Sequence, residues 1–545
     1  MIALISRRHK VIISAIFVPV TIMLTSCSTP EPDPYSEFIG LQTYTDSPAV
    51  KESPVPLRRT GPNDTTASNG PLKINIEQAI LMAMSNNQSL IVERINPPIN
   101  RTYEQEELSA FDPVLNAEAS SRRTIAERLS RAGSETESST IDTMNGSVSL
   151  AKLFPTGTQL ELEASSDYTD SSLYSDTFTA NRLGLTVTQA LLQGFDIRAN
   201  LARVNQAKID TLISQYELRS FTEILLEEVE SKFWDYALAQ KQIEIYTDSL
   251  KLAEKQMTEI QERINIGTLA ETELAAAQAE VALRHENLIN AKSILAKERL
   301  NLLRLLNPSR NIDWNTEVSL VYETTLPDVK LDNVEQHIQV ALKMRPELNQ
   351  ARLKIQRGEL EVVMTKNGLL PKMDVFITFG KTGYANTFSR AWDKIDNGTY
   401  DAAFGLIFQD TALNRSARAQ YNRAVLSKEQ LKQAFKNLVQ FVQVDVRSAY
   451  VEVTSAREQI TATSATRASQ EEKLRAETEK FRVGKSTSLL VSQAQSDYVT
   501  SQIAEIQAVA NYLQALVTLY RLEGSLLYRR GIVAPGETTV TLDEQ

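Results

Sequence analysis

Between about Asn200 and Asn307, and again between about Asn414 and Arg530, the chain contains no proline and its apolar residues fall at helical spacing. In the first stretch Leu225, Val229, Phe233, Tyr236 and Ile243 follow one another at steps of 4, 4, 3 and 7. In the second, Val442, Val446, Tyr450, Val453 and Ile460 repeat those steps. Each pattern predicts a long helix with one apolar stripe on a polar rod. A helix from Asn200 to Arg263 would be about 95 Å long at 1.5 Å per residue. A single compact domain cannot shelter such a stripe, so neighbouring rods are required. Elsewhere the period changes to two. Leu183, Leu185 and Val187 alternate with Gly184, Thr186 and Thr188, and Val375, Ile377 and Phe379 flank Phe376 and Thr378. These are strands with two different faces, and the non-aliphatic face carries Thr or Gly more often than charge. Asn145–Ala164 reads as a further hairpin around Pro155-Thr156-Gly157. With the stretch from Leu115 to Ala119 it gives the first half room for four strands, in or outside the main sheet.

The pattern is duplicated. Asn75-Ile76-Glu77-Gln78 matches Asn333-Val334-Glu335-Gln336 at a shift of 258, which also aligns Ile80 with Ile338, Ala83 with Ala341 and Leu90 with Leu348. Further on the shift is 217: Asn205 meets Asn422, Phe233 meets Tyr450, Gly267 meets Gly484 and Gln278 meets Gln495. The first half therefore carries 41 extra residues between Pro113 and Asn205. Pro97-Pro98 breaks the early helix of the first copy, where the second has Ile355-Gln356 and should run on unbroken. Gly267 and Gly484 each follow a long helical pattern and suit a left-handed helix end. Thr268 with Glu271 fits a capping box for the following helix, and Ser486, Thr487 and Ser488 offer N-cap oxygens in the second copy. Each glycine thus marks a tight helical hairpin.

Composition changes the picture mainly at the start of the chain. Arg7, Arg8 and Lys10 precede the apolar run Val11–Leu24, which is too short to span a bilayer and reads as a secretory signal. It ends in Leu24-Thr25-Ser26-Cys27, similar to a bacterial lipobox, which implies cleavage before Cys27 and lipidation of that residue; Ser28 favours the outer membrane over the inner. Cys27 is the only cysteine, so no internal disulfide is available. Eight of the 18 prolines fall in residues 28–71, an extended tether. Removal of the three basic signal residues takes the formal charge from −10 to −13, which disfavours nucleic acid as a partner. The expected divisions are 1–26 signal, 27–71 lipidated tether, 72–310 first repeat, 311–330 linker, 331–530 second repeat and 531–545 tail.

Taken together, the "FRVGKS" turn followed by "LLVSQAQ", "AFDPVL" and "GLLPKM" before strands, the two-fold repeat and the lipobox resemble the TolC-type outer-membrane factors. The resemblance covers about residues 72–530. It implies a mainly α protein with a membrane β-barrel. Three copies would each give four strands to one barrel and long helices to a periplasmic α-helical barrel, enclosing one channel. It further implies an exit duct of a tripartite efflux or type I secretion system, located in the outer membrane and reaching into the periplasm. The partners would be a periplasmic adaptor, an inner-membrane pump behind it, and outer-membrane lipid. Gly267, Thr268, Arg482, Gly484, Lys485 and Ser486 would mark the adaptor-facing tips. Some members place acids six and nine residues after the second-half glycine, where this chain has Leu490 and Gln493; in the first half these positions are Glu273 and Ala276. Glu273 is therefore the candidate pore acid.

Nothing in the sequence points to an enzyme or a cofactor beyond the lipid. His9, His285 and His337 are dispersed, and no phosphate-binding glycine loop or nucleophile elbow occurs. A lipid-anchored coiled-coil scaffold without a pore is the competing reading. The two-faced strands argue against it, because a scaffold has no need of a lipid-facing sheet.

Overall fold

The computed structural model describes residues 71–533 apart from 130–132, 134–135, 173–174, 309–313 and 323–330. The signal, Cys27, almost all of the tether, parts of the linker and residues 534–545 lie outside the described residues. In chain order the first half contains β1 (Leu72–Ile74), α1 (Ile76–Asn86), α2 (Gln88–Glu93) and α3 (Asn96–Leu108). Four strands follow: β2 (Val114–Leu129), β3 (Thr136–Leu153), β4 (Thr158–Ser171) and β5 (Phe178–Ala190). One turn, α4 (Ile197–Asn200), leads to α5 (Ala202–Asn265) and α6 (Thr272–Leu306). The second half contains β6 (Val318–Leu320), α7 (Val334–Met344), α8 (Pro346–Asn367), β7 (Lys372–Ala385), α9 (Phe388–Asp393), β8 (Tyr400–Gln409), α10 (Arg415–Arg482), α11 (Ser488–Leu522) and α12 (Leu526–Arg529). The protein is thus mostly helical, with one principal sheet.

Local chemistry explains the starts and breaks. The repeated Asn-x-Glu-Gln segments are capping boxes: Asn75 and Gln78 satisfy each other's backbone N–H at the start of α1, and Asn333 and Gln336 do the same for α7. The first copy then breaks at Asn87 and again before Pro97-Pro98, which occupy the opening turn of α3. In the second copy Arg345 is extended before Pro346, and α8 runs 22 residues without interruption. One helix is broken and its counterpart continuous, as the proline difference predicts.

The paired long helices are 64 and 68 residues, each followed by one of 35. Leu225, Val229, Phe233 and Tyr236 of α5 are buried against Ile80, Ala83 and Leu90, together with Leu302, Leu303, Leu305 and Leu306 at the end of α6. Val442, Val446 and Val453 of α10 are buried against Ile338, Ala341 and Leu348. The positions matched in sequence therefore occupy matching places in two cores. Phe233 is fully enclosed, with Trp234 and Tyr322 edge-on to each other and to its ring.

β1 pairs in parallel with β6, a strand inside the segment expected to be linker. The large sheet has order β2-β3-β4-β5-β7-β8, antiparallel throughout. The extra hairpin of the first half joins it directly, as β3 and β4. The described residues thus supply six strands to this sheet rather than the four that the resemblance implies. The physical reason is register: β3 and β4 align Leu150 with Leu162 and Val148 with Ala164, which places their apolar faces together. No described helix is long and apolar enough to cross a membrane.

Candidate functional site

Directly opposed residues in an antiparallel ladder share a face. Leu115, Leu150, Leu162, Leu185, Phe379 and Ala402 form one unbroken row across all six strands. The neighbouring row on the same face is Lys152, Leu160, Val187, Ile377 and Phe404. This face is apolar yet exposed: Ile377 is 54% and Phe404 75% accessible, with Leu406 and Phe408 open as well. Exposed contiguous apolar surface of this kind marks a contact with lipid or protein. At the loop end it passes into aromatic residues, with Phe379 stacked on Tyr400 at 6.3 Å. There α9 lies against Gly383, where a Cβ would come within 1.9 Å of the Ala391 carbonyl oxygen, and Asn181 Nδ2 donates to the Phe388 carbonyl at 2.8 Å.

The opposite face is polar and carries charge that the Thr/Gly pattern concealed. Thr186 and Thr378 share a hydroxyl hydrogen bond of 3.2 Å. Glu163, Gly184, Gly380 and Asp401 form one row. Arg182, one rung away, lays its guanidinium over the two glycines. It donates to Asp401 through Nε at 3.2 Å and Nη2 at 2.7 Å, and its Nη1 is 3.7 Å from Glu163. A Cβ at Gly184 would sit 2.2 Å from Nη1, and one at Gly380 2.6 Å from Nη2. The glycines are the space the arginine needs.

At the far ends of the long helices the two hairpins share one geometry. Gly267 and Gly484 both have φ of +76°, with no atom near an added Cβ. Thr268 N donates to the Arg263 carbonyl at 2.9 Å and Lys485 N to the Lys480 carbonyl at 2.8 Å, closing each helix end in the same way. The expected capping box at Thr268 is not formed. Its hydroxyl donates back to the Arg263 carbonyl at 2.8 Å, and α6 begins at Thr272 with no side-chain cap. The Arg263 carbonyl accepts from both the amide and the hydroxyl of Thr268, so the hydroxyl is spent on the end of the long helix. In the second copy Thr487 does cap α11, accepting from Leu490 N at 3.4 Å. Arg482 pairs with Glu479 at 3.0 Å and Ser486 donates to Glu477 at 2.8 Å. Glu273 accepts from the Ser488 hydroxyl and so ties one hairpin to the other. Ile260, Ala277, Phe481 and Val491 form a small core between the hairpins, with the Arg263 guanidinium over the Phe481 ring at 5.1 Å. Beyond it Ile266, Val483, Leu489 and Leu490 are exposed. Ile266 and Val483 match at the 217 shift, and that pairing of an apolar residue before each glycine was available in the sequence.

Between tips and sheet, a row of acids on α5 holds the C-terminal helices. Glu227 pairs with Arg521 and Glu230 with Arg530, while Glu223 pairs within α5 with Arg219 at 3.4 Å, whose Nη2 donates to the Gly524 carbonyl at 3.2 Å. Burial pushes the Glu223 carboxyl up to about 7, only partly offset by Arg219. His337 is buried against Glu523, whereas His285 is exposed. Burial raises the Glu523 carboxyl, but His337, Ser525 and Arg529 together hold it below its ordinary range. Among the described residues no cluster of His, Cys, Asp or Glu could hold a metal.

A two-faced sheet joined to long helical hairpins defines a class of outer-membrane channel. The family model of the outer membrane efflux proteins matches residues 109–308 and 337–525, and the chain belongs to that family. It is an outer-membrane efflux channel. Three solved structures share the fold at low identity. A membrane protein from Pseudomonas aeruginosa has a TM-score of 0.63 at 17% identity, over 84% of this chain and 91% of that one. The Campylobacter jejuni CmeC outer membrane channel has 0.61 at 14%, over 83% and 86%. The open state of the Neisseria gonorrhoeae MtrE outer membrane channel has 0.58 at 16%, over 83% and 89%. No curated protein matches in sequence.

Proposed function

We propose that this chain is one of three copies forming a passive exit duct for substrates delivered by an inner-membrane pump through a periplasmic adaptor. The sheet crosses the outer membrane as part of a closed barrel. Its Leu–Val–Phe face meets lipid, and its Thr–Gly–Arg182 face meets water. The long helices continue the channel into the periplasm, with the tips at Gly267 and Gly484 meeting the adaptor through Arg482, Lys485, Ser486 and the exposed Ile266 and Val483. Cys27, lipidated, anchors the tether of residues 27–71 in the membrane. One observation supports this reading above the rest: the apolar row from Leu115 to Ala402 is continuous across every strand of the sheet and exposed at each of its six positions. Soluble proteins bury such a face.

The test is planar-bilayer recording of the detergent-extracted trimer. Stable ohmic channels are expected. A trimer that inserts and never conducts would leave the scaffold reading in its place.

A further inference from the structure

The sheet ends on two edges that no described strand covers. β2 at one side and β8 at the other each have a single strand neighbour. Both edges carry the apolar face to the last strand, with Leu115 on β2 and Phe404, Leu406 and Phe408 on β8 exposed. In hydrocarbon an open edge leaves its backbone N–H and C=O groups without partners, each at a cost of several kcal/mol, so a lipid-facing sheet must close. Six strands are too few to close on themselves, and β2 and β8 do not pair in this chain.

We propose that β8 of one copy pairs with β2 of the next, and that three copies close a barrel of eighteen strands. This rests on the trimeric duct reading above and adds to it which edges meet and how wide the barrel is. The direction of the chain supports it. β2, β4 and β7 run one way and β3, β5 and β8 the other, so β8 beside a second copy's β2 continues the antiparallel alternation all the way round. The alternative seat for β8 would be β4, the strand at which a four-stranded contribution of β4, β5, β7 and β8 would end. That edge is taken: β3 pairs with β4 over 13 residues, from Ile141–Ser171 to Leu153–Gln159. Displacing β3 would also strip Leu150 from Leu162 and break the apolar row. Barrel diameter grows roughly in proportion to strand number, and eighteen strands reach the class that encloses an aqueous channel.

The experiment places one cysteine on β8 and one on a candidate neighbour, both on the apolar face, in the full chain in outer membranes. Phe404→Cys is combined in turn with Leu115→Cys, Ala117→Cys or Ala119→Cys on β2, and separately with Leu160→Cys, Leu162→Cys or Ala164→Cys on β4. After oxidation, non-reducing gels are read for covalent trimer. Cys27 is the only native cysteine, so each single variant reports its background. The expected result is covalent trimer from at least one β8–β2 pair and none from the β8–β4 pairs. Linkage of β8 to β4, or a trimer by native mass with no β8–β2 linkage, overturns the eighteen-strand barrel and leaves the duct standing. A monomer by native mass overturns the duct itself. Cryo-electron microscopy of the unmodified trimer provides an independent count, and twelve strands would refute the proposal.

Discussion

Arg182 lies flat across the sheet because the two positions beneath it have no side chain, and this gives a test of which way the sheet faces. Replacing it, as Arg182→Met, removes one positive charge per copy and leaves Glu163 and Asp401 without their cation. If the polar face lines the pore, the reversal potential in a salt gradient shifts toward cation preference. An unchanged potential would place that face away from the permeating ions. Glu223 offers a second test at this scale, in the helical part of the chain. Its folded pKa of about 7 lies above the ordinary 4.5. The folded state therefore holds a proton that the unfolded chain releases, so this contribution is complete below about pH 4.5 and is lost as pH rises through 7. From the shift its size is ~3 kcal/mol. The expected outcome is a fall in thermal midpoint between about pH 5 and pH 7 in the unaltered protein that Glu223→Gln flattens. A parallel fall in both proteins would show that other groups set the dependence.

Among the elements, the long helices and their tips make separable predictions. Phe233 is fully enclosed, and Phe233→Ala should cost about 3–5 kcal/mol, read as a lowered thermal midpoint. At the tips, Gly484→Val forces a β-branched residue to positive φ, at about 1–2 kcal/mol. There is open space around the site, so the strain stays local. Limited proteolysis should find a new cut near residue 484 with the midpoint almost unchanged. The double variant Ile266→Asp, Val483→Asp should abolish export in cells while bilayer conductance stays normal; loss of both would mean that the tips hold the channel together instead. The same elements show what a sequence exposes. The stripes on α5 and α10 were legible because a 3.6-residue period survives over many turns. β8 is not legible in the sequence, because Ala402, Ala403, Phe404, Leu406, Ile407 and Phe408 leave no alternation to read. The hydroxyl of Thr268 serves the preceding helix and not the following one, a choice left open because the sequence shows both helix ends at that turn and not which carbonyl or amide lies nearer.

For the whole molecule, the chain by itself determined the duplication, the lengths of the rods, the glycine turns and the existence of two-faced strands. All of these follow from local periods and from the conformational limits of proline and glycine, which need no distant partner. Only the tertiary structure decided that the extra hairpin joins the sheet, that one apolar row runs through six strands, and that Arg182 bridges to Asp401 across two glycines. It alone placed Glu273 against Ser488 as a link between hairpins. Those facts depend on register and on contacts between residues as many as 219 positions apart. A strand's own alternation says which residues share a face, but only pairing says which strand lies beside it.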